Sequence, residues 1–237
     1  MADNLTGWLR EQLETRGARG FVVGLSGGID SAVTAALCKR ACPENTMGII
    51  MPCHSDPQDA ADARVVADAL RVPVIEVNLD EPFELMVKKL TGKPYDGREV
   101  DLTIANIKPR LRMITLYFFA ARHKYLVAGT GNRSELTVGY FTKYGDGGVD
   151  LLPIGNLVKA QVRELAVVLG VPRQIIAKSP SAGLWVGQCD EEEMGITYDE
   201  LDEFILYGRG PDRVKEVIQT LAVCNAHKNE MPARPPF

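Results

Sequence analysis

The strongest chemical signal in the chain is a short glycine turn that joins an apolar run to a helix-forming segment. The apolar run covers residues 21–25 and predicts a buried strand. The turn that follows it reads Ser26-Gly27-Gly28-Ile29-Asp30-Ser31. Adjacent glycines let the backbone approach an anion because no Cβ stands in the way, and a helix N-terminus directs backbone N–H groups toward the anion. The stretch therefore predicts a phosphate-binding loop.

Two carboxylates give this loop a second chemical character. A carboxylate beside a phosphate repels it unless a cation lies between them, so Asp30 predicts a divalent metal, Mg²⁺. Glu135 ends a similar glycine-containing loop, residues 129–135, which follows a strand predicted over residues 125–128. Since the carboxyl ends of parallel strands meet at one sheet edge, the two side chains could share the metal. On residue types alone, Glu135 is equally well explained as a charge at a helix start.

Several cations stand at places where a helix disfavours them. Lys108, Arg110 and Arg112 lie near the start of a helix predicted to end at about residue 123, and Lys159 precedes a helix predicted over residues 160–169. Cations at a helix N-terminus oppose its macrodipole, which indicates an anionic partner nearby. The alternative for the first group is a solvated basic turn.

The elements that must position these residues alternate along the chain. Apolar runs predict strands over residues 21–25, 46–51, 72–78 and 125–128. Helical patterns cover residues 3–16, 32–40, 59–70, 82–90 and 106–123. This alternation predicts an α/β fold with a doubly wound, mostly parallel sheet and helices on both faces. Ligands bind such sheets beyond the carboxyl ends of the strands.

The last third of the chain changes in composition. Residues 178–195 are polar, acidic and rich in helix breakers, and they predict a mobile lid loop over the site; a plain linker is the alternative. Residues 196–237 predict a C-terminal helical extension, with its last helix over residues 212–226. Residues 91–101 read as an exposed loop.

Composition limits the class of protein. A chain of 237 residues that is 46% hydrophobic suits a single domain over residues 1–237. Its net charge of -4 argues against a nucleic-acid partner, and no apolar run reaches the roughly 18 residues that a membrane span needs. The N-terminus has no signal-peptide pattern. Five scattered cysteines fit a reducing compartment, so we expect a cytoplasmic location and no membrane partner.

The glycine turn resembles the Ser-Gly-Gly-x-Asp-Ser signature of the ATP pyrophosphatase family; the lysine of an ordinary P-loop is missing. Further stretches resemble ammonia-dependent NAD synthetases over most of the chain. These stretches are Asn106-Ile107-Lys108-Pro109-Arg110, Gly129-Thr130-Gly131-Asn132-Arg133-Ser134-Glu135, Phe141-Thr142-Lys143-Tyr144-Gly145-Asp146-Gly147-Gly148, Pro180-Ser181-Ala182-Gly183-Leu184-Trp185, Gly195-Ile196-Thr197-Tyr198-Asp199 and His227-Lys228.

The resemblance implies an adenine nucleotide hydrolase-like fold and a carbon–nitrogen ligase. Such an enzyme uses ATP, Mg²⁺ and ammonia to amidate nicotinic acid adenine dinucleotide through an acyl-adenylate, and it releases NAD, AMP and pyrophosphate. The resemblance also implies a homodimer with the dinucleotide bound across the subunit interface. We expect no covalent nucleophile, because positioning and electrostatic stabilisation suffice for this chemistry.

The resemblance also implies roles for individual residues. It assigns ATP binding to Gly24, Leu25, Ser26, Gly27, Gly28, Ile29, Asp30, Ser31, Thr130, Lys159 and Ser181. It assigns the metal to Asp30 and Glu135. It assigns the deamido dinucleotide to Arg110, Lys143, Asp150, His227 and Lys228. Ser181 stands where the family often has threonine, and serine supplies the same hydroxyl group for the contact with ATP.

Other functions stay open at this point. One alternative is another ATP pyrophosphatase, such as a tRNA-modifying thiolase, a lysidine synthetase or a GMP synthetase core. A thiolase would need paired reactive cysteines, and a tRNA-modifying enzyme would need a basic extension. GMP synthetases and glutamine-dependent NAD synthetases carry an amidase portion, and we expect no room for one in these 237 residues. A non-catalytic adenine-nucleotide sensor could lose Asp30 or Glu135, and both are present.

Overall fold

Four parallel strands form one sheet in the computed structural model, which describes residues 1–97, 101–185 and 187–236. The strands are β1 (Gly20–Leu25), β2 (Thr46–Ile50), β3 (Val74–Glu76) and β4 (Tyr125–Val127). Their order across the sheet is β3-β2-β1-β4. Phe21 pairs with Thr46 of β2 and Gly20 pairs with Tyr125 of β4, both in parallel register. The predicted parallel sheet is therefore confirmed.

Helices surround this sheet and continue beyond it. They are α1 (Ala2–Arg16), α2 (Ile29–Ala41), α3 (Pro57–Leu70), α4 (Asp80–Thr91), α5 (Leu102–Ala105), α6 (Ile107–His123), α7 (Arg133–Val138), α8 (Lys159–Val168), α9 (Arg173–Ile176), α10 (Asp190–Met194), α11 (Tyr198–Tyr207), α12 (Asp212–Asn225) and a final 3-10 turn (Ala226–Lys228). Among the described residues, no helix is long and apolar enough to cross a bilayer.

The two faces of the sheet carry separate apolar cores. Because successive side chains of a strand point to opposite faces, Phe21 and Val23 of β1 pack in one core with α1, α2, α3 and α8, whereas Val22 packs in the other with α4 and α6. All three side chains are fully buried. Helices on both faces, as predicted, therefore explain why this strand reads as a continuous apolar run.

The third strand differs most from its prediction. The apolar pattern predicted a strand over residues 72–78, but β3 spans only Val74–Glu76. It is an edge strand that pairs with β2 alone. The side chain of Asn78 accepts a hydrogen bond from the backbone N–H of Asp80 at 2.8 Å. The chain consequently enters α4 at Asp80, two residues before the predicted start at residue 82.

Three short helices, α5, α9 and α10, lie where no helix was predicted, because one turn carries too little periodicity to be recognised. The last of them, α10, lies inside the predicted loop over residues 178–195. Of the exposed loop predicted over residues 91–101, residues 98–100 lie outside the described residues.

A third apolar core holds the predicted C-terminal helical segment against the rest of the protein. Val138 of α7 packs in this core with Met194 of α10, Tyr198 and Leu201 of α11 and Ile218 of α12. Since α7 follows the loop after β4, the C-terminal helices are fastened close to the carboxyl edge of the sheet. The division of the chain into one domain with a lid and an extension stays a prediction.

We predict that Leu37→Ala lowers the free energy of unfolding by about 2–5 kcal/mol, because it leaves a cavity in the first core. Leu37 is fully buried in α2. The matched control is Leu90→Ala on α4, where 67% of the residue is exposed; it should change the free energy by less than about 0.5 kcal/mol. Equilibrium unfolding in urea measures both. Equal decreases in the free energy of unfolding for the two variants would contradict the assignment of Leu37 to the core.

Candidate active site

A cavity of about 500 Å³ opens at the carboxyl edge of the sheet. Its walls include Leu25 at the end of β1, Ile50 at the end of β2 and Gly129 just after β4. The predicted ATP-binding residues that line it are Gly24, Leu25, Ser26, Gly28, Ile29, Asp30, Ser31, Thr130, Lys159 and Ser181. The cavity is also lined by Glu135 and Lys228. The fold thus places most of the predicted phosphate site in one recess.

The glycine turn is shaped by its contact with α3. Gly27 has a φ of +78°, and a Cβ at this position would lie only 2.4 Å from the carbonyl oxygen of Asp59. The hydroxyls of the turn brace it internally: Ser31 Oγ donates to the carbonyl of Gly28 at 2.9 Å and accepts from the backbone N–H of Ser26 at 3.2 Å. No described side chain caps the start of α2 at Gly28. This N-terminus can therefore receive an anion.

The carboxylates of Asp30 and Glu135 converge on one ammonium group. Lys159 Nζ lies 2.5 Å from Asp30 Oδ2 and 3.5 Å from Glu135 Oε1. The side-chain amide of Asn132 donates to the other oxygen of Asp30 at 2.9 Å. Lys159 is 2% exposed. The three charged groups come from α2, α7 and α8, and the tertiary structure brings Asp30 to two residues that lie more than 100 positions further along the chain.

Burial makes this cluster electrostatically strained. Burial and the neighbouring charge of Asp30 raise the pKa of Glu135 to about 8, although Lys159 acts in the opposite direction. Burial alone would lower the pKa of Lys159, but Asp30 and Glu135 raise that pKa above its ordinary value. One ammonium group thus faces two carboxylates, and the cluster favours additional positive charge.

The donor set at this cluster fits Mg²⁺. Asp30 and Glu135 offer the hard carboxylate oxygens that Mg²⁺ prefers, and both lie beside the single ammonium group of Lys159. Among the described residues, no group of three or more His, Cys, Asp or Glu side chains could hold a metal ion alone. A metal bound by two carboxylates would complete its shell with waters and substrate phosphates, as Mg²⁺ commonly does.

The sequence analysis missed the aromatic and acidic groups that close the cluster from the C-terminal side. The ring of Tyr198 lies 4.6 Å from Lys159 Nζ, and its hydroxyl lies 3.3 Å from Glu135 Oε1 and 3.2 Å from Asp190 Oδ2. The sequence places Tyr198 in a stretch that resembles the family, without a role, and Asp190 in the acidic stretch over residues 178–195. Their positions depend on how α10 and α11 pack, and no local pattern reports this.

The residues predicted to bind the dinucleotide divide into two groups. Arg110 donates to the carbonyl of Lys143 at 3.3 Å, Lys143 donates to the carbonyl of His227, and Lys228 donates to the carbonyl of Gly139 at 2.7 Å. These four predicted residues form one basic patch, of which only Lys228 lines the cavity. The patch offers several donors to an anionic ligand.

Asp150 belongs to a different set of contacts. Its carboxylate accepts hydrogen bonds from the backbone N–H of Val127 at 2.8 Å and from the hydroxyl of Tyr117 at 3.1 Å. It does not line the cavity. In this structure Asp150 stabilises the end of β4, and its predicted contact with the dinucleotide stays a prediction.

Two cations near the start of α6 donate to neutral oxygens of the protein, and the anionic partner that their position indicated stays a prediction. Lys108 is 2% exposed and donates to the carbonyl of Leu184 at 2.6 Å. Arg112 donates to the carbonyl of Met51 at 3.2 Å and to Ser55 Oγ at 3.0 Å. These two cations hold the segments around the cavity in place.

Residues 178–184 of the predicted lid line part of the cavity, and the described residues of this segment are held at several points. Lys178 Nζ lies 2.8 Å from Asp59 Oδ1 and 2.7 Å from Asp62 Oδ2, both on α3. Asp190 accepts a hydrogen bond from the backbone N–H of Ala182 at 2.8 Å. Lys108 of α6 donates a hydrogen bond to the carbonyl of Leu184. The segment thus joins α3, α6 and the Lys159 cluster.

Comparisons with known proteins agree with this architecture. The family model described as NAD synthase matches residues 1–232. An NH(3)-dependent NAD(+) synthetase from Carboxydothermus hydrogenoformans is 53% identical over 234 residues, which cover 98% of this chain and 96% of the relative.

Solved structures show the same similarity. The NMN synthetase from Francisella tularensis is 37% identical with a TM-score of 0.93, and the match covers 100% of this chain and 97% of that chain. An NH3-dependent NAD synthetase from Campylobacter jejuni is 29% identical with a TM-score of 0.79, covering 99% and 96%. The resemblance found in the sequence is confirmed by both kinds of relative, and the chain belongs to the NAD synthase family.

Proposed function

We propose that the chain is an ammonia-dependent NAD synthetase that amidates the nicotinate carboxylate of nicotinic acid adenine dinucleotide and converts ATP to AMP and pyrophosphate. The observation that carries the proposal is the convergence of Asp30, Glu135 and Lys159 beside the glycine turn, at the carboxyl edge of the sheet. Membership of the NAD synthase family supports it.

The charges of the site suit the first half of this reaction. A carboxylate oxygen of the substrate attacks the α-phosphorus of ATP, and the bond to the departing pyrophosphate breaks. Negative charge grows on the leaving group, and the ammonium group of Lys159 and the N-terminus of α2 are placed to stabilise it. Asp30 and Glu135 would hold Mg²⁺, which when bound supplies further positive charge to the phosphates.

The second half requires no covalent nucleophile from the protein. Ammonia attacks the acyl carbon of the adenylate, AMP leaves with the electron pair of the broken carbon–oxygen bond, and the nitrogen releases one proton to water. Water would compete with ammonia for the same carbon, so a cover over the cavity has a chemical purpose. We infer that residues 178–195 act as this lid, because Lys178 pairs with Asp59 of α3 and the carbonyl of Leu184 accepts a hydrogen bond from Lys108 of α6.

The proposal is tested by incubating the protein with ATP, Mg²⁺, ammonium and nicotinic acid adenine dinucleotide and measuring NAD, AMP and pyrophosphate. We predict equal amounts of the three products and a loss of about 100-fold or more in kcat for Asp30→Asn, because the metal and Lys159 lose their shared partner. The control is Asp212→Asn, whose carboxylate on α12 is 95% exposed, and whose activity should match that of the unchanged protein.

The same assay separates the alternatives. AMP and pyrophosphate without NAD would favour another ATP pyrophosphatase with a different acceptor. The absence of ATP turnover with every acceptor would favour a nucleotide sensor. Full activity of Asp30→Asn, or full activity after removal of Mg²⁺ with a chelator, would contradict the assigned metal and phosphate site.

A second candidate substrate is the mononucleotide. The solved NMN synthetase from Francisella tularensis matches this chain with a higher TM-score, 0.93, than the NAD synthetase from Campylobacter jejuni, 0.79. An enzyme that forms NMN by amidation would take nicotinic acid mononucleotide as its acceptor. Measuring kcat/KM for the two acceptors under identical conditions decides between them, since the specific substrate is the one with the larger value.

The homodimer is also a proposal, and an apolar surface supports it. Ile114 and Phe118 of α6 are 60% and 59% exposed, and Leu102 of α5 is 52% exposed. Ile114 and Phe118 are four residues apart and therefore lie on one face of the helix. Arg110, predicted to bind the dinucleotide, stands on the same helix. Exposed apolar groups on an element that carries a predicted ligand contact are typical of an interface.

We predict that the unchanged protein is a dimer at micromolar concentration and that Phe118→Lys halves its mass, because a charge on this face would have to be buried without a partner. Light scattering coupled to size-exclusion chromatography measures the mass. Val168→Lys is the control, because Val168 of α8 is 71% exposed and α8 packs on the opposite face of the sheet from α6. A monomeric parent protein, or the same effect from both variants, would contradict the proposed interface.

The ion pair at the start of the lid makes a pH-dependent prediction. Burial would raise the pKa of Asp62, but hydrogen bonds from Lys178 and Gln58 lower it below the ordinary value of 3.8. The contribution of Asp62 to stability is therefore complete well above this value and is lost as the pH falls through the lower, folded-state pKa.

We predict that Asp62→Asn lowers the free energy of unfolding by about 1 kcal/mol at neutral pH, and that the difference from the parent shrinks as the pH falls below 3.8. Chemical unfolding across a pH series measures this. Asp68→Asn, at an exposed position of the same helix, should change the free energy little at any pH. A difference that stays constant at low pH would contradict the ion pair.

The cytoplasmic location stays a prediction. All five cysteines lie within the described residues as free thiols, which supports a reducing compartment. Burial raises the pKa of the Cys53 thiol to about 11, so this group is unreactive at neutral pH.

A further inference from the structure

A buried carboxylate on α11 reaches the starts of α7 and α8, two of the three helices that carry the charged cluster. Asp202 is 4% exposed. One of its oxygens accepts from the hydroxyl of Ser134 at 2.5 Å and lies 3.4 Å from the backbone nitrogen of Lys159. The other accepts from the backbone N–H of Ala160 at 2.8 Å. No part of the function argued above uses this residue.

The first of these helices, α8, needs such a partner. The first N–H groups of a helix have no acceptor within the helix, and an Asp, Asn, Ser or Thr just before the helix usually provides one. Val158 occupies that position in α8, and its side chain has no polar atom. Asp202 supplies the acceptor from a different helix, and it holds the backbone of Lys159 and Ala160 from the C-terminal segment.

The second helix, α7, is tied to the same carboxylate through Ser134. The hydroxyl of Ser134 donates to Asp202 and accepts from the backbone N–H of Lys159 at 3.1 Å. Ser134 directly precedes Glu135. A single buried carboxylate therefore bonds the backbone at the start of α8 and the side chain of Ser134, the neighbour of Glu135 on α7. Lys159 and Glu135, whose side chains pair with each other, stand at these two helix starts.

We propose that Asp202 is a positioning residue for the reaction: it holds α7 and α8 in the relative placement that lets Lys159 and Glu135 act together at the ATP phosphates. This inference rests on the proposed role of those two side chains. It gives the C-terminal helical segment a part in the chemistry, because α11 carries the group that aligns the cluster. The predicted dinucleotide contacts, such as Arg110 and Lys228, lie on other elements and do not contact Asp202.

The test compares two aspartates of the same helix. Asp202→Asn removes the buried charge, whereas Asp199→Asn removes a charge that is 86% exposed and pairs with Arg163 of α8 at 3.5 Å. Both variants thus change a link between α11 and α8. We expect Asp202→Asn to lower kcat at least about tenfold with KM for the dinucleotide changed less than about twofold, and Asp199→Asn to match the parent in both constants.

A double-mutant cycle with Lys159→Gln gives a second readout. If Asp202 acts through Lys159, Asp202→Asn lowers kcat much less in the Lys159→Gln background than in the parent. Equal losses in the two backgrounds, a kcat of Asp202→Asn equal to that of Asp199→Asn, or a loss confined to KM would overturn the proposal.

A folding control and a separate outcome for the proposed function complete the design. Circular dichroism checks that each variant is folded. If Asp202→Asn does not fold, Ser134→Ala takes its place, because it removes only the hydroxyl that links α7 to Asp202. An unchanged kcat in folded Ser134→Ala then overturns the inference. If Lys159→Gln retains the parent kcat, the proposed role of Lys159 fails and this inference fails with it. If Lys159→Gln loses activity while Asp202→Asn does not, the inference alone fails.

Discussion

The structure depends on a buried ammonium group held between two carboxylates. Removing Lys159, Asp30 and Glu135 from water carries a large desolvation cost, and their attraction offsets it only while the geometry is kept. The protein maintains that geometry from several directions: Asn132 bonds Asp30, the ring of Tyr198 lies against the ammonium group, and further hydrogen bonds fix the helix starts. The two carboxyl groups of the site suit a metal ion, and a bound metal would offset their repulsion of a phosphate substrate.

This requirement explains why the C-terminal helices are part of the enzyme and not an appendage. The apolar core around Tyr198 and Leu201 places α11 against α7 and α8. From there its polar side chains reach the charged cluster, while Asp190 of α10 bonds the hydroxyl of Tyr198 and the backbone of Ala182. The same packing that buries apolar surface thus delivers hydrogen-bond partners to a site that the parallel sheet alone would leave open on one side.

Local patterns were sufficient wherever one segment determines its own conformation. The apolar run that became β1 is buried on both faces, and Gly27 adopts the positive φ that a tight turn before a helix demands. Patterns failed where a neighbour decided the outcome. Asn78 begins α4 early through one side-chain hydrogen bond, and the short edge strand β3 pairs on one side only. The single turns α5, α9 and α10 are too short to produce a period.

The sequence by itself determined the fold class, the glycine turn and the family, because these depend on residue types at fixed spacing along the chain. It also marked Asp30, Glu135 and Lys159, but left open whether Glu135 served the site or a helix start. Only the tertiary structure decided that the three groups meet, that Lys108 and Arg112 bond neutral oxygens and that Asp150 bonds the end of β4. Contacts between residues far apart in the chain depend on how helices pack, and that packing leaves no local trace around Tyr198 or Asp202.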